Sequence, residues 1–392
     1  MHVAIFTDND FGKVSGVTTT LQAVLRWRPS DIRIRIYTAA DLSRDQPDYL
    51  ALRSSGVGIP FYRDMKMYVP RFLAFLRHAQ MDDLDLVHYT TPGPVGLAAM
   101  FVKWRLGIPM IGSFHTQLSE YTALLSGSPR LGSLMREYQR WPYGKCERIL
   151  VPSEATRALL VAAKLRPEKI RIWTRGVDTE RFRPAARSAA MREAWGVTDD
   201  RPVLLYVGRL SAEKGLGQVS SLMQALRATG IDYRFVFVGD GPMRRALETA
   251  CPDAVFTGAL SHEDVAVAMA SADLFVFPSR TDTLGNVVLE AQASGLPVLV
   301  SDEGGPRENM VAGETGFVCA AERATDLISR AVLLARERDQ RIAMGRAARA
   351  YTLGRSWPRA LAPLYQTYRD VTAARLTIPA VSATRAMRAQ KG

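Results

Sequence analysis

Short apolar runs alternate with segments of helical period along almost the whole chain. In the first half the runs are HVAIFTD (2–8), DIRIRIYTA (31–39), DLVHYT (85–90), PMIGSFH (109–115), RILVPS (148–153) and KIRIWTRGVD (169–178). Runs of this kind, bounded by turn residues, read as buried strands, and segments such as 18–28 and 94–106 read as the helices between them. The pattern restarts with PVLLYVGRL (202–210), YRFVFVGDG (233–241), AVFTG (254–258), LFVFPS (274–279) and LPVLVSD (296–302). Helices are expected there at 214–229, 242–250, 261–271, 286–294 and 323–350. Such βαβ repetition predicts parallel sheets covered by helices on both faces. The polar stretch RPAARSAAMREAWGVTDD (184–201) separates the two series. The expected architecture is therefore α/β, two doubly wound domains facing each other across a cleft, with domains at 1–184 and 185–354. Residues 376–392 carry little periodicity and read as a basic, flexible tail.

Composition narrows the class. A chain of 392 residues, 47% hydrophobic, is long enough for two cores. No window of 18 consecutive apolar residues predicts a membrane span, and the opening MHVAIFTDND lacks the charged and apolar regions of a secretory leader. Cys146, Cys251 and Cys319 lie far apart without metal-ligand spacing, so reduced thiols in the cytoplasm are expected. The net charge of +12 is uneven: residues 1–185 hold 26 basic and 17 acidic side chains, residues 186–392 hold 25 and 22. A basic first half calls for an anionic partner. The segment IPFYRDMKMYVPRFLAFLRHA (59–79) mixes cations with aromatics. It reads either as an interfacial segment on an anionic membrane surface or as a solvated helix with its aromatics in the core. No nucleic-acid motif accompanies it, so nucleic acid is not expected as a partner.

The richest chemistry lies in RTDTLGNVVLEAQASGLPVLVSDEGG (280–305). A strand feeding a glycine-containing loop into a helix N-terminus is where an open α/β sheet binds phosphate, through free amides and the positive end of the helix. Asp282 precedes that loop. Glu290, a turn into the helix, is placed to accept ribose hydroxyls, so the segment outlines a nucleoside-diphosphate site. Arg209 and Lys214 follow the first strand of the second series, where two cations would stabilise a departing diphosphate without a metal. Gly16 sits in the loop after the first strand, before a helix. Two further strings carry less. Asp83-Leu84-Asp85 has the form of a divalent-metal DxD but reads as a solvated turn. FVGDGP lacks a full dinucleotide fingerprint.

The chain resembles the retaining glycosyltransferases of the GT-B fold, family 4 (group 1). The resemblance covers about residues 3–370 and rests on DFGKVSGVTTTL (10–21), SFHTQLSEY (113–121), VPSEATR (151–157), RGVDTERFRP (175–184), YVGRLSAEKGL (206–216), FVGDGP (237–242) and the D-x7-E of Asp282 and Glu290. The forms FHT-x3-EY and TDTLGNVVLEA are most similar to bacterial nucleotide-sugar-dependent α-mannosyltransferases and sulfoquinovosyl diacylglycerol synthases.

The resemblance implies two Rossmann-like domains, the acceptor in the first and the donor in the second, with a helix near 355–372 crossing back onto the first. It implies transfer of a hexose, mannose-type favoured, from a nucleoside-diphosphate sugar to a hydroxyl of a lipid or glycan acceptor. Arg209 and Lys214 would hold the diphosphate, His115 would lie near the transferred sugar, Asp282 would meet the sugar and Glu290 the ribose. Gly16, Gly208, Gly239 and Gly241 would line the donor, with the amides of Leu284, Gly285 and Asn286 around the distal phosphate or the sugar. Glu120 and Tyr121 would belong to the acceptor loop, and no metal or other cofactor is implied. The departures are Ser15-Gly16 where many relatives have two glycines, and Asp282 where they have Glu. The competing readings are another sugar-nucleotide enzyme of this fold (an epimerase or glucan synthase) and a non-catalytic carbohydrate or lipid-surface binding protein. A cytoplasmic enzyme, peripheral on the inner face of the plasma membrane, is the expected setting.

Overall fold

The computed structural model describes residues 1–9, 11, 16–39, 47–52, 54, 56–59 and 62–376. Within them the strand series assemble into two parallel sheets. In the first half the strands are β1 (His2–Phe6), β2 (Arg33–Thr38), β3 (Tyr49–Ala51), β4 (Gly56–Ile59), β5 (Tyr62–Tyr68), β6 (Leu86–Tyr89), β7 (Met110–Ser113), β8 (Arg148–Val151) and β9 (Ile170–Ile172). In the second they are β10 (Val203–Val207), β11 (Arg234–Val238), β12 (Val255–Gly258), β13 (Leu274–Phe277), β14 (Val298–Ser301) and β15 (Gly316–Cys319). The sheet orders are β3-β2-β1-β6-β7-β8-β9 and β12-β11-β10-β13-β14-β15, and β4 and β5 form a separate antiparallel pair. The strand order turns back beside β1 and β10, so each sheet opens a crevice at the carboxyl ends of the β1/β6 and β10/β13 pairs.

The central strands are apolar on both faces because helices cover both. Val203–Val207 is wholly buried, as are Leu274–Phe277 and Val298–Ser301. Among the described residues, serine caps start four of the helices, two of them following strands of the sheets. Ser153 accepts from Thr156 N ahead of Glu154–Ala162, and Ser261 accepts from Asp264 N ahead of His262–Ser271.

The last helix, Trp357–Leu376, belongs to the core of the first sheet. Trp357, Leu361, Leu364, Tyr365, Tyr368 and Val371 join one apolar cluster with Val3, Ile5, Ile34 and Ile36, and the Tyr365 hydroxyl donates to Val24 O at 2.8 Å. Two segments therefore run between the sheets, and they touch: Val177 N donates to Arg355 O at 2.9 Å, beside a bridge between Val177 and Ser356.

Several expectations need correction. Residues 59–79 are not one helix. They contain β5 and the start of the helix Phe72–Met81, where Phe75 is buried and Phe72 packs on the core. The helix expected from 214 begins at Gly217, because Ala212–Lys214 makes a 3₁₀ turn closed by Gly215 at φ 69°. The helix expected over 323–350 is two, Ala324–Arg336 and Arg338–Leu353, broken at Glu337, whose ψ of 84° is not helical. Asp83 makes a turn at φ 49°, while Asp85 is fixed by the amide of His2 at 2.7 Å. All three cysteines are buried and free. The expected tail at 376–392 lies, apart from Leu376, outside the described residues. Among these no helix is long and apolar enough to cross a membrane.

Candidate active site

The carboxyl ends of β10 and β13 bring Lys214 and Asp282 together. Lys214 Nζ lies 2.8 Å from both oxygens of Asp282, with the pair largely withdrawn from solvent and the ammonium 6.0 Å from the ring centre of Phe277. A partly buried ammonium without its carboxylate would carry a large desolvation cost, so Asp282 fixes where Lys214 points. Arg209 stands at the head of the same loop, partly buried, its carbonyl accepting from the Tyr206 hydroxyl at 3.0 Å.

Several of the glycines expected around the donor have a local reason. A Cβ on Gly239 would stand 2.0 Å from Gly208 O, and one on Gly241 would stand 2.4 Å from Leu210 O. The loops after β10 and β11 thus lie backbone against backbone, locked by Leu210 N to Asp240 O at 2.9 Å. Gly285, at φ 73°, turns the chain into the helix Asn286–Ala293, whose first turn has no side-chain cap. Leu284 is buried and its carbonyl is held by Asn309 Nδ2 at 2.7 Å. That helix offers its positive end to the cleft. Glu290, in its second turn, is pushed up to about 7 by burial, with the nearby Arg181 opposing the shift.

Across the cleft stands His115, two residues past β7. Its Nδ1 is 3.2 Å from Nη2 of Arg175, and its Nε2 is 2.7 Å from the Ser113 hydroxyl. Burial and the positive charge of Arg175 hold its pKa well below the usual histidine range. Gly16 opens the helix Gly16–Arg26 and meets the donor loop directly, its carbonyl accepting from Asn286 Nδ2 at 3.3 Å. Glu120 lies elsewhere, on the helix Leu118–Ser126, bonded to the Ser119 hydroxyl and 3.8 Å from Arg136 of the following helix. Tyr121 lies on the same helix, its side chain outside the described residues.

The sequence reading missed the residues that join the halves. Thr283 donates from Oγ1 to His115 O at 2.9 Å and accepts from Ser153 Oγ at 2.8 Å on its own carbonyl. Glu308 accepts from the amides of Glu154 and Ala155 at 2.7 and 2.8 Å. Within the first half, Asp8, after β1, caps the helix Pro94–Leu106 by accepting from Val95 N at 2.9 Å. Thr283 and Arg175 sit inside quoted motifs, so a signal existed for them. Glu308 has none, being one acid in a short 3₁₀ turn.

The family model for glycosyl transferases group 1 matches residues 188–351, and that for glycosyltransferase family 4 matches residues 14–181. A GDP-mannose-dependent alpha-mannosyltransferase of Mycobacterium tuberculosis is 32% identical over 388 residues, covering 96% of this chain and 98% of that one. A sulfoquinovosyl transferase of Arabidopsis thaliana is 31% identical over 371 residues, covering 91% of this chain and 71% of its own length. In fold, the sucrose-phosphate synthase of Thermosynechococcus elongatus superposes with a TM-score of 0.76 at 19% identity, over 95% of this chain and 99% of that one. With two facing parallel-sheet units and similarity running nearly end to end, the chain belongs to the group 1, family 4 glycosyltransferases and has their GT-B fold.

Proposed function

We propose that the protein transfers a hexose, mannose-type favoured, from a nucleoside-diphosphate sugar to a hydroxyl of a lipid or glycan acceptor, with retention at the anomeric carbon. Residues 185–354 bind the donor and residues 1–184 the acceptor. Arg209 and Lys214 meet the diphosphate, Glu290 accepts from the ribose hydroxyls, and the helix at Asn286 offers its amides to the distal phosphate or the sugar. In the step itself the bond from the anomeric carbon to the phosphate oxygen breaks. A bond to the acceptor oxygen forms on the same face, and the acceptor proton passes to the leaving phosphate. The negative charge that develops on that phosphate is met by the cations Arg209 and Lys214, not by a metal.

The observation that carries this reading is the Lys214–Asp282 pair at the β10/β13 crevice, with Glu290 held nearby on the helix of the same loop. Engagement of both His115 ring nitrogens supports assigning the proton to the phosphate. The relatives supply the donor class: the Mycobacterium tuberculosis protein is named for GDP-mannose and the Arabidopsis one for a sulfoquinovosyl group.

A lipid acceptor, and association with an anionic membrane surface, is supported by the helix Pro129–Gly144. It exposes Leu131, Leu134 and Trp141 beside Arg130, Arg136 and Arg140. Labelled GDP-mannose and UDP-hexoses, each incubated with anionic vesicles or with soluble glycans, test the reading. Label should enter the lipid phase from one donor, and Lys214→Ala and Glu290→Ala should each cut transfer at least about a hundredfold. Near-normal transfer in both variants would sink the assignment, and label found only in soluble glycan would remove the membrane.

A further inference from the structure

Arg175 is buried at 4% exposure and, among the described residues, has no carboxylate within ion-pair distance. A guanidinium withdrawn from water without a counter-ion is costly, so what it does there needs an account. Its Nη1 donates to Trp173 O at 2.7 Å, its Cζ lies 4.1 Å from the centre of the Trp173 ring, and its Nη2 reaches His115 Nδ1 at 3.2 Å. Burial lowers its pKa to about 9, which still leaves it charged at neutral pH.

Hydrogen-bond chemistry then fixes the proton positions one after another. A guanidinium only donates, so Nδ1 of His115 must present its lone pair. The neutral ring therefore carries its proton on Nε2 and gives it to Ser113 Oγ at 2.7 Å. Ser113 in turn donates to Nε2 of His88 at 2.8 Å, leaving the His88 proton on Nδ1, directed at the Tyr368 hydroxyl at 2.7 Å. Ser113, His88 and Tyr368 are wholly buried, and Tyr368 stands on the returning helix Trp357–Leu376. Protonating His115 would set an N–H of the ring against an N–H of Arg175 and add a second buried charge beside the first. The charged and titratable groups facing this ring are Arg175 and His88, and both oppose protonation, as burial does. His88 is itself pushed down to about 3 by burial, with Arg175 contributing.

We propose that Arg175 is a positioning residue: through its bond to Nδ1 it holds His115 neutral, in the Nε2–H tautomer and in one orientation at the cleft. In this role His115 is a fixed, uncharged contact for the transferring sugar and not a proton acceptor. The inference rests on the transfer reading for its effect on turnover, but its effect on the tautomer can be measured without any substrate.

The experiment is ¹⁵N-detected NMR of the full chain labelled at histidine, with the His115 signals assigned by their loss in His115→Gln. In the parent, Nε2 should be protonated and Nδ1 bare, unchanged from pH 8 to about 5.5. In Arg175→Met the ring should lose its single tautomer and show both, and Arg175→Lys should restore part of the parent behaviour. With donor and acceptor, Arg175→Met should lower kcat about tenfold or more while donor KM stays within about threefold, because the residue acts on the reacting geometry. Should Arg175→Met not fold, Ser113→Ala decides. There Arg175 alone must keep the proton on Nε2, and a shift to Nδ1 overturns the proposal. A parent ring protonated on Nδ1, or one titrating above pH 6 with Arg175 intact, overturns it as well. So does an altered tautomer in Arg175→Met with unchanged kcat. If no form turns over any donor, the transfer reading fails while the NMR still decides what Arg175 does.

Discussion

Glu290 sits where stability and binding pull in opposite directions. Its carboxyl is raised from 4.5 to about 7, so ionising it in the folded protein costs more than in the unfolded chain. The sign follows directly. A group whose folded pKa is raised lends stability that is complete below about pH 4.5 and lost as pH climbs through about 7. Glu290→Gln removes the partly buried charge, so its Tm should exceed the parent's by a few degrees at pH 8 and match it within about a degree at pH 4.5–5. The same variant should lose nucleoside-diphosphate affinity at pH 8, because an amide accepts ribose hydroxyls less well than a carboxylate. Thermal melts at both pH values, with and without GDP and UDP, check this. Equal Tm differences at the two pH values would mean that Glu290 is not buried as a charge. Asp282 illustrates what the sequence could not tell. Its shortening from Glu reads ambiguously in the motif, whereas its two 2.8 Å contacts give it a definite job, aiming Lys214.

At the scale of elements, the loops after β10 and β11 act as one rigid piece because their glycines let the backbones touch. Gly239, at φ 134°, would place a Cβ 2.0 Å from a carbonyl oxygen that cannot step aside. Gly239→Ala should therefore cost about 2–4 kcal/mol and displace the Arg209 loop. The variant should be inactive even well below its lowered Tm. Gly217→Ala is the control: nothing lies within 4 Å of a Cβ there and the residue is helical, so its melt should stay within about 1 kcal/mol of the parent. Legibility divides at this scale too. Central strands such as Val203–Val207 were readable because burial on both faces leaves an unbroken apolar run. Tyr49–Ala51, Gly56–Ile59 and Gly316–Cys319 were not, being three or four residues long and at the margin of a sheet or in a separate pair. The glycines read as sites of ligand approach, but Gly239 and Gly241 answer first to a neighbouring carbonyl. A single sequence cannot separate those two reasons, since both ask only for a missing Cβ.

At the scale of the whole molecule, the two halves meet among the described residues through directional contacts, and those contacts include the donor loop itself. Thr283 bonds to His115 O and Ser153, and Asn286 bonds to Gly16 O. Glu308 adds the strongest of them. Its carboxylate takes two amides at the N-terminus of Glu154–Ala162, where the helix end also favours negative charge. The hinge is narrow by comparison. It consists of the strand-like pairing at Val177 and Ser356, where a Cβ on Gly176 would stand 2.5 Å from the backbone of Trp357. Glu308 touches none of the residues assigned to donor or sugar, so removing it isolates closure from chemistry. Glu308→Ala should shift the molecule toward an open cleft, with a larger radius of gyration by small-angle scattering. Losing a charged cap worth about 1 kcal/mol should lower kcat roughly fivefold while the Kd for nucleoside diphosphate alone changes little. Glu308→Gln, which can still accept one amide, should fall between. High salt should weaken the parent toward the variant, since the contact is ionic on one side and at the surface. If scattering and kcat are both unchanged in Glu308→Ala, Glu308 does not hold the cleft closed.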